Sequence, residues 1–285
     1  MKIAITGYSG FIGNNLCRYL ESHGYEILRI DRNVLYNDLK ELIWYIEQAD
    51  YFIHLSGSSI LKRWTKKNKE VIWNSRIVTG KIIYLALKSA RIKPKALFFS
   101  SAIGIYNSSG IHDENSSLFR EGFIKELIME WENVGIRVQT LGIPTVIMRF
   151  GIVLGKNGGA LKSMIVPFKF GLGSKIGHGD QLVPFIHIED LCNIIKFLIE
   201  KSCYIGIINF VSPNVTTNKI LSKSLANKLG RPCLFTVPKF FMKLIYGEAS
   251  ILLTEGQNVV PAVLKEIRYE YLFPKLDDVL EDLIE

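Results

Sequence analysis

The sequence predicts an α/β protein with a Rossmann-like, doubly wound parallel sheet and a small C-terminal α/β lobe. Short runs that are apolar throughout alternate with segments of helical spacing in the first half of the chain. Such runs are typical of parallel strands that are covered on both faces. A glycine-rich turn follows the first apolar run, at residues 7–13. The alternation ends after Arg149, where glycine becomes frequent. Together these features indicate right-handed βαβ units followed by a smaller lobe.

Six strands and six main helices are predicted in chain order. The strands are Lys2–Thr6, Glu26–Ile30, Tyr51–Leu55, Ala96–Ser100, Thr145–Arg149 and Ile207–Val211, and the helices are Phe11–His23, Leu39–Gln48, Val71–Ala90, Phe119–Val134, Ile188–Glu200 and Asn218–Leu229. Each helix repeats its apolar residues three and four positions apart. We expect a dinucleotide-binding domain over residues 1–155 plus 187–212. Residues 156–186 plus 213–285 should form the smaller substrate lobe, which is helical with irregular joins from Val237 onward.

Composition favours an ordinary globular protein and excludes several other classes. The 285 residues are 48% hydrophobic and 22% charged, which suffices for a buried core and argues against disorder. The net charge is +8, but its one dense run, residues 62–69, has no nucleic-acid motif beside it, so no nucleic-acid partner is expected. The four cysteines form no CxxC pair, and neither a disulfide framework nor a metal site is expected. Short apolar runs and the absence of a signal peptide predict no membrane association and a cytoplasmic location.

The glycine turn predicts a nicotinamide dinucleotide site. Its residues are Gly7, Tyr8, Ser9, Gly10, Phe11, Ile12 and Gly13, between the first strand and the first helix. The N–H groups and positive dipole end of a helix N-terminus suit a pyrophosphate. Gly7 allows the tight turn, Gly10 the approach of the phosphates, and Gly13 close packing of helix on strand. The spacing, GxxGxxG, is one residue longer than the common fingerprint in its first gap.

The ends of the next strands extend this site without deciding between NADP and NAD. Asp31 and Arg32 end the second strand, where an acidic residue favours the ribose of NAD and an arginine the 2′-phosphate of NADP. Small residues after the third strand let the cofactor pass over it, and Ser100 ends the fourth strand. The residues added here to the cofactor site are Leu55, Ser56, Gly57 and Ser100. We interpret His54 as a packed histidine.

These features together resemble the extended short-chain dehydrogenase/reductases, and more narrowly the atypical, cell-division-inhibitor-like NAD-dependent epimerase/dehydratase family. The resemblance covers nearly the whole chain and rests on the glycine turn and on residues 54–57, 63–65, 75–76, 101–106, 153–161, 186–191, 209–214, 229–232, 237–238 and 247–248. It implies a dinucleotide-binding core under a small C-terminal lobe, with NADP held by an arginine that Arg32 matches. Asp31 departs from this pattern, because a small neutral residue is more usual there. A homodimer is left open.

Short-chain dehydrogenases normally carry a Tyr-x-x-x-Lys pair on the helix after the fourth strand, and the chain lacks it there. The resemblance to the narrower family implies this loss, because members of that family look divergent in the same helix. No tyrosine occurs between Tyr106 and Tyr204. Such a pair normally moves the substrate proton, with the lysine lowering the pKa of the tyrosine. We therefore predict Tyr106 and Ser101 as catalytic residues. Other candidates for acid–base chemistry are Lys125, Glu126 and His187, although His187 is interpreted as a hydrogen-bonded residue at a helix start, and Trp131 as core.

Two functions follow from this reading. The first is an NAD(P)-dependent oxidoreductase or epimerase that acts on an unidentified sugar-like or carbonyl substrate without the usual catalytic pair. The alternative is a catalytically weak or inactive NADP(H)-binding protein that acts through a protein partner.

Overall fold

A six-stranded, fully parallel sheet forms the centre of the computed structural model, which describes residues 1–156, 158–201 and 204–284. Its strands are β1 Lys2–Thr6, β2 Glu26–Ile30, β3 Tyr51–His54, β4 Ala96–Ala102, β5 Thr145–Phe150 and β6 Gly206–Phe210. They lie in the order β2-β1-β3-β4-β5-β6, and every neighbouring pair is parallel. The predicted fold class is therefore confirmed.

Helices cover both faces of this sheet. They are α1 Phe11–Ser22, α2 Arg32–Asn37, α3 Leu39–Gln48, α4 Lys66–Trp73, α5 Thr79–Ser89, α6 Phe123–Val138, α7 Gly159–Lys169, α8 Ile188–Lys201, α9 Asn218–Lys228, α10 Lys239–Tyr246, α11 Ile251–Thr254, α12 Ala262–Glu266 and α13 Leu276–Leu283. One apolar core joins α3, α5 and α6 to the sheet, and a second joins α1 and α8 to its other face. The apolar strands are thus buried on both faces of the sheet, as the sequence predicts.

Four helices differ from the sequence-based prediction. The long helix predicted over residues 71–90 begins earlier, at Lys66, because the Thr65 hydroxyl accepts a hydrogen bond from the N–H of Asn68. It is also interrupted by a π-helical turn, Asn74–Val78. The helix predicted from Phe119 begins at Phe123, after Gly122 with φ +89°. The helices α2 and α7 were not predicted.

A third apolar cluster lies beyond the sheet and joins α7, α9 and α13. Short strand pairs brace this region: Ile111–His112 with Asn258–Val259, Ile152–Gly155 with Phe185–His187, Ser174–Ile176 with Phe235–Val237, and Leu182–Val183 with Thr216–Thr217. The division into two domains stays a prediction. Cys17, Cys192 and Cys233 are free thiols, whereas Cys203 lies outside the described residues. Among the helices in the described ranges, none is both long and apolar enough to span a membrane.

Candidate dinucleotide site

The glycine turn lies at the point where the order of the strands reverses. The chain leaves β1 toward β2 on one side, while β3 lies on the other side of β1. Open α/β sheets bind ligands outside the carboxyl ends of their strands at such a switch point. Gly7 has φ +75°, and a Cβ atom there would lie 2.7 Å from the carbonyl carbon of Leu55. The turn therefore needs glycine both for its conformation and for its contact with the end of β3.

The N-terminus of α1 is open to an anion. Gly10 is the N-cap, with φ −73°, and no side chain caps the helix or places a carboxylate in its first turn. A Cβ atom at Gly10 would meet only the Gly7 carbonyl oxygen, at 3.3 Å. A Cβ atom at Gly13 would lie 2.2 Å from that oxygen. Gly13 is thus required for packing, whereas Gly10 leaves exposed backbone beside free N–H groups, as a pyrophosphate requires.

Phe11, in the same turn, packs away from this open backbone. Its ring fills the space over Gly155, Gly158 and Gly159, because a Cβ atom at Gly158 would lie 2.1 Å from the Phe11 ring. The first glycines of the segment after Arg149 therefore make room for an aromatic side chain. Their frequency there has a packing cause that the sequence alone did not reveal.

The end of β2 brings together the two residues that bear on NADP and NAD. The Tyr8 hydroxyl donates a hydrogen bond to Oδ1 of Asp31, at 2.5 Å, and this bond raises the pKa of Tyr8. The guanidinium of Arg32 lies over the Tyr36 ring, 5.4 Å from its centroid. Within the described ranges Arg32 has no carboxylate partner. Asp31 is thus engaged by the glycine turn, while the charge of Arg32 stays available.

The buried hydroxyl of Ser100 tests whether a ligand fits beside the sheet. Its side chain is 5% exposed, and its hydroxyl has no hydrogen-bond partner among residues 1–156, 158–201 and 204–284. A buried polar group without a partner is costly, so such groups are usually satisfied by a ligand or water. Ser100 stands at the end of β4, on the α1 side of the sheet, with the glycine turn two strands away. The cradle at α1 and this hydroxyl both fit a dinucleotide.

Ser101 and Tyr106 belong to a buried polar network rather than to an open cleft. Ser101 Oγ donates to Oε1 of Glu132 at 2.5 Å, and Glu132 forms an ion pair with Arg149. The Tyr106 side chain is fully buried; its hydroxyl accepts from Arg149 at 2.7 Å and donates to Oδ1 of Asn209 at 3.0 Å. In this structure Tyr106 therefore does not point into an open cleft. Whether either residue acts on a substrate stays a prediction.

Burial and nearby charges shift the pKa values of Tyr106 and Arg149 in opposite directions. Burial raises the pKa of Tyr106, although the nearby Arg149 charge acts to lower it. Burial alone would lower the pKa of Arg149, but the hydrogen bonds and charge of Glu132 raise it. Both effects keep the phenol neutral and the guanidinium charged at neutral pH. This is the protonation state in which their mutual hydrogen bond forms.

The remaining candidates are placed mostly as the sequence predicts. His54 is fully buried, with Nδ1 2.7 Å from Oγ1 of Thr6, and Trp131 is 5% exposed in the core. His187 Nδ1 accepts a hydrogen bond from the N–H of Glu189 at the start of α8. Lys125 is paired with Glu121 on the surface. The helix α6, Phe123–Val138, contains no tyrosine, so the usual proton donor is absent from its position.

A cleft of about 490 Å³ lies between the start of α6 and α10. Its walls include the aromatic side chains of Trp64, Phe123 and Phe240, together with the charged side chains of Lys243 and Glu255. An apolar wall with a few polar groups is typical of small-molecule sites. Sequence reasoning missed this cleft, because its walls come from segments more than 50 residues apart.

Comparison with known proteins identifies the family. The model of the NAD dependent epimerase/dehydratase family matches residues 3–207, and a domain of unknown function, DUF1731, matches residues 237–283. The chain belongs to the NAD dependent epimerase/dehydratase family. The resemblance stated from the sequence is thereby confirmed.

Relatives within this epimerase/dehydratase family match over the full length. The epimerase family protein YfhF of Bacillus subtilis (strain 168) is 34% identical, covering 100% of this chain and 98% of its own. The mouse epimerase family protein SDR39U1 is 32% identical, with 100% of both chains covered. The crystal structure of human SDR39U1 (isoform 2) with NADPH has a TM-score of 0.91 and 29% identity, covering 99% of each chain.

Proposed function

We propose that this protein binds NADP(H), and alternatively NAD(H), and acts as an oxidoreductase or epimerase on a carbonyl or sugar-like substrate. The observation that carries the proposal is the N-terminus of α1 at the switch point, free of capping and acidic side chains. The similar human protein was crystallised with NADPH, which supports the same class of cofactor here. The nicotinamide would supply hydride transfer.

Residues of this chain would contact successive parts of the cofactor. The backbone N–H groups of Phe11, Ile12 and Gly13 would face the pyrophosphate, and Arg32 the 2′-phosphate of NADP. Leu55, Ser56 and Gly57 would lie beneath the cofactor, since this segment touches the glycine turn at Gly7. The hydroxyl of Ser100 would bond to the nicotinamide half, which satisfies its empty hydrogen-bonding capacity.

A second candidate, a catalytically weak NADP(H)-binding protein that acts through a protein partner, is favoured by one observation. Both predicted catalytic hydroxyls, on Ser101 and Tyr106, are engaged in the buried network around Arg149. General acid–base catalysis normally contributes roughly 10²- to 10⁴-fold to a rate. Turnover of NADPH with a panel of carbonyl compounds and nucleotide sugars separates the two: sustained turnover supports the enzyme, and none with any compound supports the binding protein.

Substitution of Gly10 by leucine tests the cofactor site itself. Gly10 has an ordinary φ and only one close neighbour, so Gly10→Leu should fold while its side chain blocks the phosphates. We expect NADPH affinity to fall roughly tenfold or more, equal to about 1.4 kcal/mol. Ser22→Leu, at the exposed far end of the same helix, is the matched control and should bind as the wild type does. Unchanged affinity in Gly10→Leu would overturn the proposal.

A further inference from the structure

Arg76 is a partly buried cation that lacks a carboxylate partner among the described residues. Two buried arginines each contact a carboxylate, Arg149 that of Glu132 at 2.7 Å and Arg120 that of Glu255 at 3.5 Å. No ion pair of Arg76 occurs within the described parts of the chain, and burial lowers its pKa to about 10. Burying a charge without a counter-charge costs free energy that the fold must offset elsewhere.

The protein groups around Arg76 leave part of its hydrogen-bonding capacity unused. Nη1 donates to the carbonyl of Ile72 at 3.3 Å and to Oγ of Ser75 at 3.4 Å, and Nη2 donates to the carbonyl of Ser58 at 3.1 Å. A guanidinium has five N–H donors, so Nε–H and one N–H of Nη2 have no partner among the described residues. The Trp131 ring lies beneath the guanidinium, at 5.0 Å, and fixes its plane.

Arg76 is also placed beside the proposed path of the cofactor. A Cβ atom at Gly57 would lie 3.4 Å from Cζ of Arg76, and Gly57 follows the segment that contacts Gly7. The residue sits in the π-helical turn Asn74–Val78, on the connection between β3 and β4. π-turns inside helices are frequent at functional sites. The side chain is only partly buried, so a ligand can reach its remaining donors.

We propose that Arg76 binds the carboxylate or phosphate group of a ligand that lies over the end of β3. A planar guanidinium with two adjacent free N–H groups matches the two oxygens of either anion. The proposal rests on the proposed function, because it assumes that the dinucleotide and its substrate lie over the end of β3. It narrows the substrate class to acidic carbonyl compounds if the anion belongs to the substrate.

The test uses two small probes that differ in charge, oxamate and its neutral amide oxamide. Each is added to the full-length protein saturated with NADPH, and the thermal midpoint and the binding constant are measured. We expect oxamate, and not oxamide, to raise the midpoint of the wild type. Arg76→Gln should weaken oxamate binding roughly 10- to 100-fold. Arg76→Lys, which keeps the charge, should retain part of the response and covers the case in which the glutamine variant does not fold.

Arg137→Gln is the matched control. Arg137 also lies against an aromatic ring, that of Tyr84 at 5.2 Å, but it is exposed at the far end of α6, so this variant should respond like the wild type. If Arg76→Gln instead lowers NADPH affinity by roughly tenfold or more, the anion is a phosphate of the cofactor. If both responses survive in Arg76→Gln, the proposal is overturned. Failure of the wild type to bind NADPH would overturn the proposed function. Oxamate binding by the wild type and by Arg76→Gln, measured without NADPH, would then still test the role of Arg76.

Discussion

Arg149 and Glu132 form a buried ion pair joined by two parallel hydrogen bonds. Nε of Arg149 donates to Oε1 of Glu132 and Nη2 to Oε2, each at 2.7 Å, with the two side chains 3% and 6% exposed. The pair links β5 to α6, a helix that contains no tyrosine. The neighbouring hydroxyls of Ser101 and Tyr106 each form a hydrogen bond with a member of the pair.

Removing the charge of Glu132 should destabilise the fold strongly. Glu132→Gln leaves the Arg149 guanidinium buried without its counter-charge, so we expect the free energy of unfolding to fall by about 3–5 kcal/mol. Urea denaturation followed by circular dichroism measures it. Glu130→Gln is the control, since Glu130 pairs with Lys81 on the surface at 3.9 Å and should cost less than about 1 kcal/mol. Equal effects of the two substitutions would contradict the role of the pair.

Tyr106→Phe separates a structural role from a catalytic one. The substitution removes the acceptor of an Arg149 N–H and the one proton that the phenol can donate to the Asp113 carbonyl or to Oδ1 of Asn209. We therefore expect a loss of about 1–3 kcal/mol in stability with NADPH affinity unchanged. Tyr84→Phe, whose hydroxyl makes no hydrogen bond in the described ranges, is the control. Turnover lost in Tyr106→Phe at unchanged stability would show instead that the phenol serves the substrate, as the sequence predicts.

The sequence predicts the sheet closely because its signals there are local. The strands Lys2–Thr6 and Glu26–Ile30 and the helix Leu39–Gln48 have the predicted bounds, since apolar runs and turns specify them. The helix before β4 is harder to predict, because its capping residue, Thr65, lies in a charged run and its π-helical turn has no periodic signature in the sequence. Such irregularities depend on tertiary contacts.

Only part of the candidate site can be predicted from the sequence, because the rest also depends on tertiary contacts. Backbone requirements of a glycine turn can be seen in a sequence, and the structure places Gly7 and Gly13 where a Cβ atom would collide. The partners of buried polar side chains cannot be predicted from the sequence, because they lie far apart along the chain. Ser101 is 31 residues from Glu132, and Tyr106 is 103 residues from Asn209. The sequence therefore predicts Tyr106 as a catalytic residue and gives no sign that the fold encloses its side chain.

Gly13→Ala should damage the fold, whereas Gly10→Ala should not. The new Cβ at residue 13 would stand 2.2 Å from the Gly7 carbonyl oxygen and 2.7 Å from Cα of Tyr8, and neither backbone atom can move freely. Overpacking of this kind costs about 1–3 kcal/mol or more. Gly10→Ala meets one atom at 3.3 Å and should cost about 1 kcal/mol or less. Thermal unfolding of both variants, without cofactor, checks the difference; similar midpoints would argue against close packing at residue 13.

Arg32→Ala should change the preference for NADPH over NADH. The guanidinium lies at the end of β2 without a carboxylate partner among the described residues, so it can pair with a 2′-phosphate. We expect about a tenfold loss of NADPH affinity and little change for NADH, because hydrogen bonds to charged groups contribute about 1.5–3 kcal/mol. Arg29→Ala is the control, since Arg29 is already paired with Glu21 at 2.6 Å. Equal losses for both cofactors would show that Arg32 does not contact the phosphate.

His54 should make the protein sensitive to acid. Burial, aided by the charge of Arg76, lowers the pKa of His54 to about 3 in the folded protein, whereas an unfolded histidine titrates near 6.5. Between these values the unfolded chain binds a proton that the folded chain excludes, so stability is complete above about pH 6.5 and is lost as the pH falls toward 3. His54→Gln should therefore show a shallower decline over this window, by up to about 1.4 kcal/mol per pH unit.

Urea unfolding at half-unit intervals of pH measures this slope. His23→Gln is the control, because His23 is exposed at the end of α1 and its replacement should leave the slope of the wild type. Substituting a buried ring also lowers stability at every pH, so the comparison uses the slope and not the absolute value. Because burial has the largest effect on this pKa, Arg76→Gln should reduce the slope only slightly. A slope in His54→Gln identical to that of the wild type would mean that the acid sensitivity comes from other groups, such as the buried His187 and His112, whose pKa values burial also lowers.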